Sequence, residues 1–184
     1  MRRVAVALLA VTLLALGLSA CLPTGPVTRT VTYSIAVDGA ITSDVNEFAS
    51  VAESVYASPR GWRAAGIEFV RVPTGGDFTL VLANPRQVAA YDPVCSFLYS
   101  CTVGRNVVIN DIRFAIGSPA WPGDLAWYRS MVINHETGHW LGLGHAYCSG
   151  PSELAPVMQQ QSIDMQGCQI NPWPLPWELD SVRR

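Results

Sequence analysis

The 184 residues contain three histidines, and all of them fall in one eleven-residue window, HETGHWLGLGH, at His135, His139 and His145. On an α-helix, residues four apart stand on the same face. His135 and His139 can therefore share one ion, at the 2.0–2.1 Å or so that zinc keeps from an imidazole nitrogen. Glu136, one residue on, is aimed too far aside to be the third ligand but can touch a water held at the ion. Gly142 supplies the left-handed backbone that ends a helix and turns the chain, so His145 can come back to the same ion. Three neutral imidazoles leave a fourth position open, as in a catalytic zinc site rather than a closed structural one. The expected metal ligands are His135, His139 and His145, with one Zn2+ as cofactor, Glu136 as the catalytic base and Gly142 as the structural turn. The plainer alternatives are a buried helix whose histidines are hydrogen-bonded core residues, and a metal site without turnover.

The elements that must position these residues are legible in outline. Asp124 is placed to cap a helix from about Leu125 to Leu141 that carries the histidine window. Upstream, Arg29–Val37, Gly66–Val72, Asp77–Ala83 and Asn106–Asn110 carry the β-branched and apolar runs of strands. Ser43 is the expected cap of a helix running to about Ala57, with Val45, Phe48, Val51, Ala52 and Val55 on one face. The order is β-α-β-β-β-α, with Cys95–Cys101 in a loop. The tail, with Trp173 and Trp177 between prolines, reads as an extended segment packing its aromatics on the domain.

The N-terminus reads as an export signal. Met1–Arg3 is basic, Val4–Leu18 is almost wholly apolar but too short to span a bilayer convincingly, and Leu-Ser-Ala-Cys follows at residues 18–21. This resembles the lipobox of bacterial lipoproteins, which implies cleavage after residue 20 and lipidation of Cys21; an ordinary secretory peptide cleaved near Ala20 is the alternative. The expected organisation is a signal peptide over 1–20, a tether over 21–30 and a single domain over 31–184. The expected location is the cell envelope, anchored by lipid at the outer face of the membrane, or secreted if Cys21 is not acylated. With Arg2 and Arg3 removed, 10 basic residues remain against 14 acidic ones, a net charge of −4 with no basic stripe, which argues against nucleic acid as a partner. Four cysteines then remain, an even number that reads as two disulfides in an exported domain. Of three possible pairings the local one, Cys95–Cys101 with Cys148–Cys168, is the expectation; thiolate ligation of zinc competes weakly, because no C-x-x-C pair exists.

The extended histidine motif resembles that of the metzincin clan of zinc endopeptidases. The resemblance implies an α+β zincin domain with a twisted, mostly parallel four- to five-stranded sheet, two main helices and an irregular C-terminal lobe. It also implies an edge strand above the cleft, for which Asn106–Asn110 is the candidate, and a methionine in a tight turn beneath the metal. Met158, in Ala-Pro-Val-Met 13 residues after His145, fits that structural role, with core filling as its alternative. More closely, the chain is similar to the DUF3152 family of bacterial exported proteins, over most of Val31–Trp177. That similarity is carried by RGW at 60–62, NHETGHWLGLGH at 134–145, APVMQQQ at 155–161 and GCQINPWP at 167–174. Two positions depart from the clan. Gln160 stands where some metzincins have a tyrosine, and Ala146 follows the third histidine. No oxyanion donor is therefore assigned, with Tyr128 and Tyr147 the nearest tyrosines in sequence.

The resemblance implies a metalloendopeptidase acting on protein or peptide substrates, a monomer whose membrane contact is its lipid anchor. Glu136 would take a proton from the zinc-bound water and deliver it to the leaving amine. Activity is expected to fade at acid pH as the histidines protonate and release the metal. Alternatives are a zinc amidase acting on cell-wall peptides and a zinc-containing, non-catalytic binding module.

Overall fold

The structure, a computed structural model, describes residues 25–183; the expected leader, Cys21 and the first residues of the tether lie outside them. Five strands form one sheet: β1 (Arg29–Asp38), β2 (Ile67–Arg71), β3 (Phe78–Ala83), β4 (Cys101–Val103) and β5 (Asn106–Asn110), in the order β2-β1-β3-β5-β4. All neighbours are parallel except β4, which runs antiparallel to β5. The five α-helices among the described residues are α1 (Val45–Ala57), α2 (Pro85–Val88), α3 (Asp111–Ile116), α4 (Leu125–Trp140) and α5 (Pro176–Val182). The molecule is thus α+β around a mostly parallel sheet. The first strand starts at Arg29, as expected for Arg29–Val37, so the last two residues of the expected 21–30 tether lie in β1. No helix among the described residues is long and apolar enough to cross a membrane.

Alternation along the strands divides the core. Phe78, Leu80 and Leu82 of β3, with Val107 and Ile109 of β5, face the main core shared with α1 and α4. Val81, Ala83 and Val108 face the other side, where Val88 of α2 covers them. The sheet therefore presents one deep face to α4 and keeps that helix against β5 and β4.

Three sequence expectations are corrected. Asp44, not Ser43, caps α1: its Oδ1 accepts from the N–H groups of Asn46 and Glu47, while Ser43 is engaged by Asp111. Asn106–Asn110 is an interior strand, because Cys101–Val103 pairs outside it as the edge. The strand β4 is too short to show alternation; the signal for it is the two-residue Gly104-Arg105 link, a glycine-first hairpin turn with Gly104 at φ 56°. The tail is not wholly extended, since Pro176 at the first turn and Glu178 three residues after Leu175 start α5. Trp173 packs on the core beneath Arg60, whereas Trp177 is half-exposed on α5.

Candidate metal centre

Helix α4 is buried through its centre: every residue from Met131 to Gly138 is below one-tenth exposed. That explains its weak amphipathic pattern, since a helix covered on all sides needs no polar face. Asp124 caps it, accepting from the N–H of Trp127. Its other end closes on Gly142, at φ 97°, with Gly142 N–H donating to His139 O and Leu143 N–H to Gly138 O. This double closure is a Schellman turn. It reverses the chain within two residues and returns His145 to the helix.

The three imidazoles converge. His139 Nε2 lies 3.2 Å from His135 Nε2 and 3.1 Å from His145 Nε2. Two of the rings are aimed by main-chain carbonyls: His135 Nδ1 sits 2.8 Å from Val157 O and His139 Nδ1 2.9 Å from Leu143 O. A carbonyl only accepts, so both Nδ1 atoms carry protons and donate, and both Nε2 atoms keep a lone pair. Burial, with His139 alongside, pushes His135 down to about 3, and desolvation lowers His139 and His145 as well. The rings are therefore neutral, and the lone pairs of His135 and His139 face one another with no proton to share. A cation fits that arrangement. Tetrahedral ligation at zinc–nitrogen distances of 2.0–2.1 Å would separate the nitrogens by about 3.3 Å. His135 is buried, His139 half-buried and His145 exposed, so the group opens to solvent on the His145 side.

Glu136 lies beside this group, 5% exposed, and burial pushes its carboxyl up to about 8 against the opposing pull of the Thr102 hydroxyl. Thr102 Oγ1 donates to Glu136 Oε2 at 2.8 Å and lies 2.9 Å from Glu136 O. Thr102 belongs to the edge strand β4, which the Cys95–Cys101 disulfide ties to the preceding loop. Together these elements enclose a cleft of about 650 Å³, lined by Tyr99, Thr102, Met131, Val132, Gln160, Ile163 and the three histidines among others. Tyr128 does not reach it: the residue is buried, its hydroxyl is 3.0 Å from Ser162 Oγ, and burial raises it to about 12. Tyr147 is largely exposed and outside the cleft wall, while Gln160 is on it.

The sequence profile of a family described as "Protein of unknown function (DUF3152)" matches residues 19–176. The chain belongs to the DUF3152 family. No curated protein matches it. The four segments that carry the DUF3152 likeness meet around α4. Trp62 Nε1 donates to Asn134 O at 3.1 Å, and Asn134 Nδ2 donates to Pro172 O at 2.9 Å. Asn171 Nδ2 donates to Ala155 O at 2.8 Å, and Val157 O receives the His135 Nδ1 proton.

Met158 is wholly buried in the turn below α4, against Gly138. A Cβ on Gly138 would lie 2.3 Å from Met158 Sδ and 3.0 Å from Trp62 Cζ2, so this helical glycine is what lets the methionine in. The turn is held from beneath by Glu178 of α5, whose carboxylate accepts from the N–H groups of Val157, Met158 and Leu175 at 3.0, 2.9 and 2.7 Å. Both expected disulfides are present, and Cys148–Cys168 brackets the Met158 turn. Sequence reasoning missed Thr102 and Glu178. Each acts on residues 20 or more positions away, and only the glycine inside an otherwise good helix hinted at the packing around Met158.

Proposed function

We propose that this protein is a zinc-dependent endopeptidase of metzincin type, exported and tethered to the envelope through Cys21. The observation that carries the proposal is the pair of facing imidazole lone pairs in a cleft that also holds a buried carboxylate and ends at an open sheet edge. His135, His139 and His145 would hold the zinc ion, which when bound supplies Lewis acidity toward a carbonyl oxygen and a water molecule. The chain's own residues account for the rest. The free edge of β4 would pair with an extended peptide through backbone hydrogen bonds, leaving side-chain pockets to set preference. Glu136, whose carboxylate form a bound cation would favour against the upward push of burial, would take a proton from the attacking water as its oxygen bonds to the scissile carbon, and give it to the amine as the carbon–nitrogen bond breaks. Among the described residues, and apart from the histidines, Glu136 is the only ionisable acid or base lining the cleft below the tyrosine range, and no described arginine lines it. Uncharged residues flanking the scissile bond would enter without leaving a charge unpaired.

The deciding experiment compares wild type with Glu136→Gln in metal content and in digestion of a peptide library. Wild type is expected to carry one zinc per chain and cleave the library. The variant is expected to keep its zinc and lose roughly 10²–10⁴-fold in rate, the usual contribution of a general base. Undiminished cleavage by Glu136→Gln, or release of cell-wall peptides in place of protein cleavage, rejects the proposal.

A further inference from the structure

We infer that Thr102 is a positioning residue for Glu136, holding the carboxylate at the angle from which it works; the inference rests on the peptidase function proposed above. Glu136 has one side-chain hydrogen-bond partner among the described residues, and it is the Thr102 hydroxyl. That hydroxyl lies 2.8 Å from Oε2 and 2.9 Å from the main-chain oxygen of the same glutamate, so its single proton, given to Oε2, holds the tip of the side chain over its own backbone. A long, flexible side chain with its tip held in this way loses rotamer freedom. With Oε2 engaged, Oε1 is the carboxylate oxygen left without a protein partner, and Glu136 lines the cleft.

The clamp is itself held rigidly. Thr102 is β-branched, which restricts χ1. Its strand pairs with β5 in the register Cys101↔Val108, Thr102↔Val107, Val103↔Asn106, and the preceding residue is bonded to Cys95. The same strand is the sheet edge proposed to receive substrate. Thr102 thus places the backbone that would align the scissile bond and the hydroxyl that aligns the base on one rigid element. A local fluctuation of that strand then moves both together rather than separating them.

The test compares Thr102→Val, Thr102→Ser and Glu136→Gln, each loaded with zinc, by steady-state kinetics on a library peptide and by crystal structure. Thr102→Val keeps the shape and removes the hydroxyl. It is expected to lower kcat by roughly 10–100-fold, the scale of a small misplacement of a reacting group, with KM within about twofold and zinc content unchanged. Its Glu136 carboxylate is expected in a new or divided position. Thr102→Ser restores the hydroxyl and is expected to recover most of kcat and the original carboxylate position, which also separates the role from strand packing. Wild-type kcat with an unmoved Glu136 in Thr102→Val overturns the inference, as does a serine variant as impaired as the valine one. A dead Glu136→Gln beside a wild-type Thr102→Val rejects the positioning role alone; an active Glu136→Gln rejects the peptidase function and the positioning role together.

Discussion

Gly138 shows at the scale of one residue that the histidine window serves packing as well as the ligation proposed for it. Glycine inside a helix is less favourable than alanine by about 1 kcal/mol, so propensity alone predicts that Gly138→Ala stabilises. The added Cβ, however, would sit 2.3 Å from the sulfur of Met158, which is wholly buried, and 3.0 Å from the buried ring of Trp62. Overpacking of this kind costs roughly 1–3 kcal/mol, and both neighbours are buried, so a shift of either displaces other core side chains. Set against the propensity, the clash leaves Gly138→Ala with a net destabilisation of up to about 2 kcal/mol and a lowered urea midpoint; an unchanged or raised midpoint would show that Met158 can give way. His135, His139, Glu136 and Gly142 are readable without the structure because helix periodicity and one backbone turn relate them within eleven residues. Thr102 is not, since it meets Glu136 across 34 positions through a hydroxyl whose sequence neighbourhood looks like any strand. The carbonyls of Val157 and Leu143 that aim the rings have no side-chain signature at all.

The elements are held in register by a few buried acceptors, and Asp111 at the start of α3 is the clearest. It accepts from Thr42 N and Thr42 Oγ1 at 2.7 and 2.8 Å and from Ser43 N at 3.0 Å, locking the β1–α1 connection to the end of β5. Burial pushes its carboxyl up, but the hydrogen bonds from Ser43 and Thr42 together outweigh burial and hold it below the ordinary range. A carboxyl lowered in the folded state binds its proton more readily in the unfolded chain. Its contribution is therefore complete above the unfolded value, near pH 4, and is lost as pH falls through the folded value. Asp111→Asn is expected to destabilise by about 1.5–3 kcal/mol at pH 7, the range for hydrogen bonds to a charged group. The loss should shrink below pH 4, where wild type loses the same charge. Urea midpoints between pH 2.5 and 7 would decide, and parallel curves for the two proteins would refute the linkage. This lock also explains why Ser43 was a misleading cap: the residue type is right for a helix start, but a partner 68 positions away has claimed it. The central strands and α1 were legible from alternation and periodicity, and α4 from its Asp124 cap and the four-residue spacing of its histidines. The edge strand was hidden by its length, and α5 by the prolines that flank it.

The whole molecule divides into a part that needs no metal and a part that would feel its loss. The main core joins the sheet to α1 and α4 through fully buried side chains such as Phe48, Phe78, Leu80 and Tyr128, and none of these depends on the imidazole group. The chain from Leu141 to Leu175 has no regular strand or helix and only one isolated bridge, Leu154 to Gln169. It is held by the Cys148–Cys168 disulfide, by Glu178 under the Met158 turn, and by the return of His145. His145 is the weakest of these anchors without an ion: it is exposed, and its one hydrogen-bonding neighbour among the described residues is another imidazole nitrogen. Chelation is therefore expected to leave the far-ultraviolet circular dichroism almost unchanged while abolishing peptide cleavage. With zinc at 100–1,000 times its Kd, binding to the native state alone contributes about 2.7–4.1 kcal/mol. In a domain of this size that corresponds to a fall in Tm of roughly 5–15 °C on zinc removal. Hydrogen exchange should show the change first between Gly142 and Tyr147, where the chain returns to the site, and least in β3 and β5. A chelated protein that unfolds outright would make the ion part of the core, and one with an unchanged Tm and exchange pattern would mean that the three histidines hold no ion in solution.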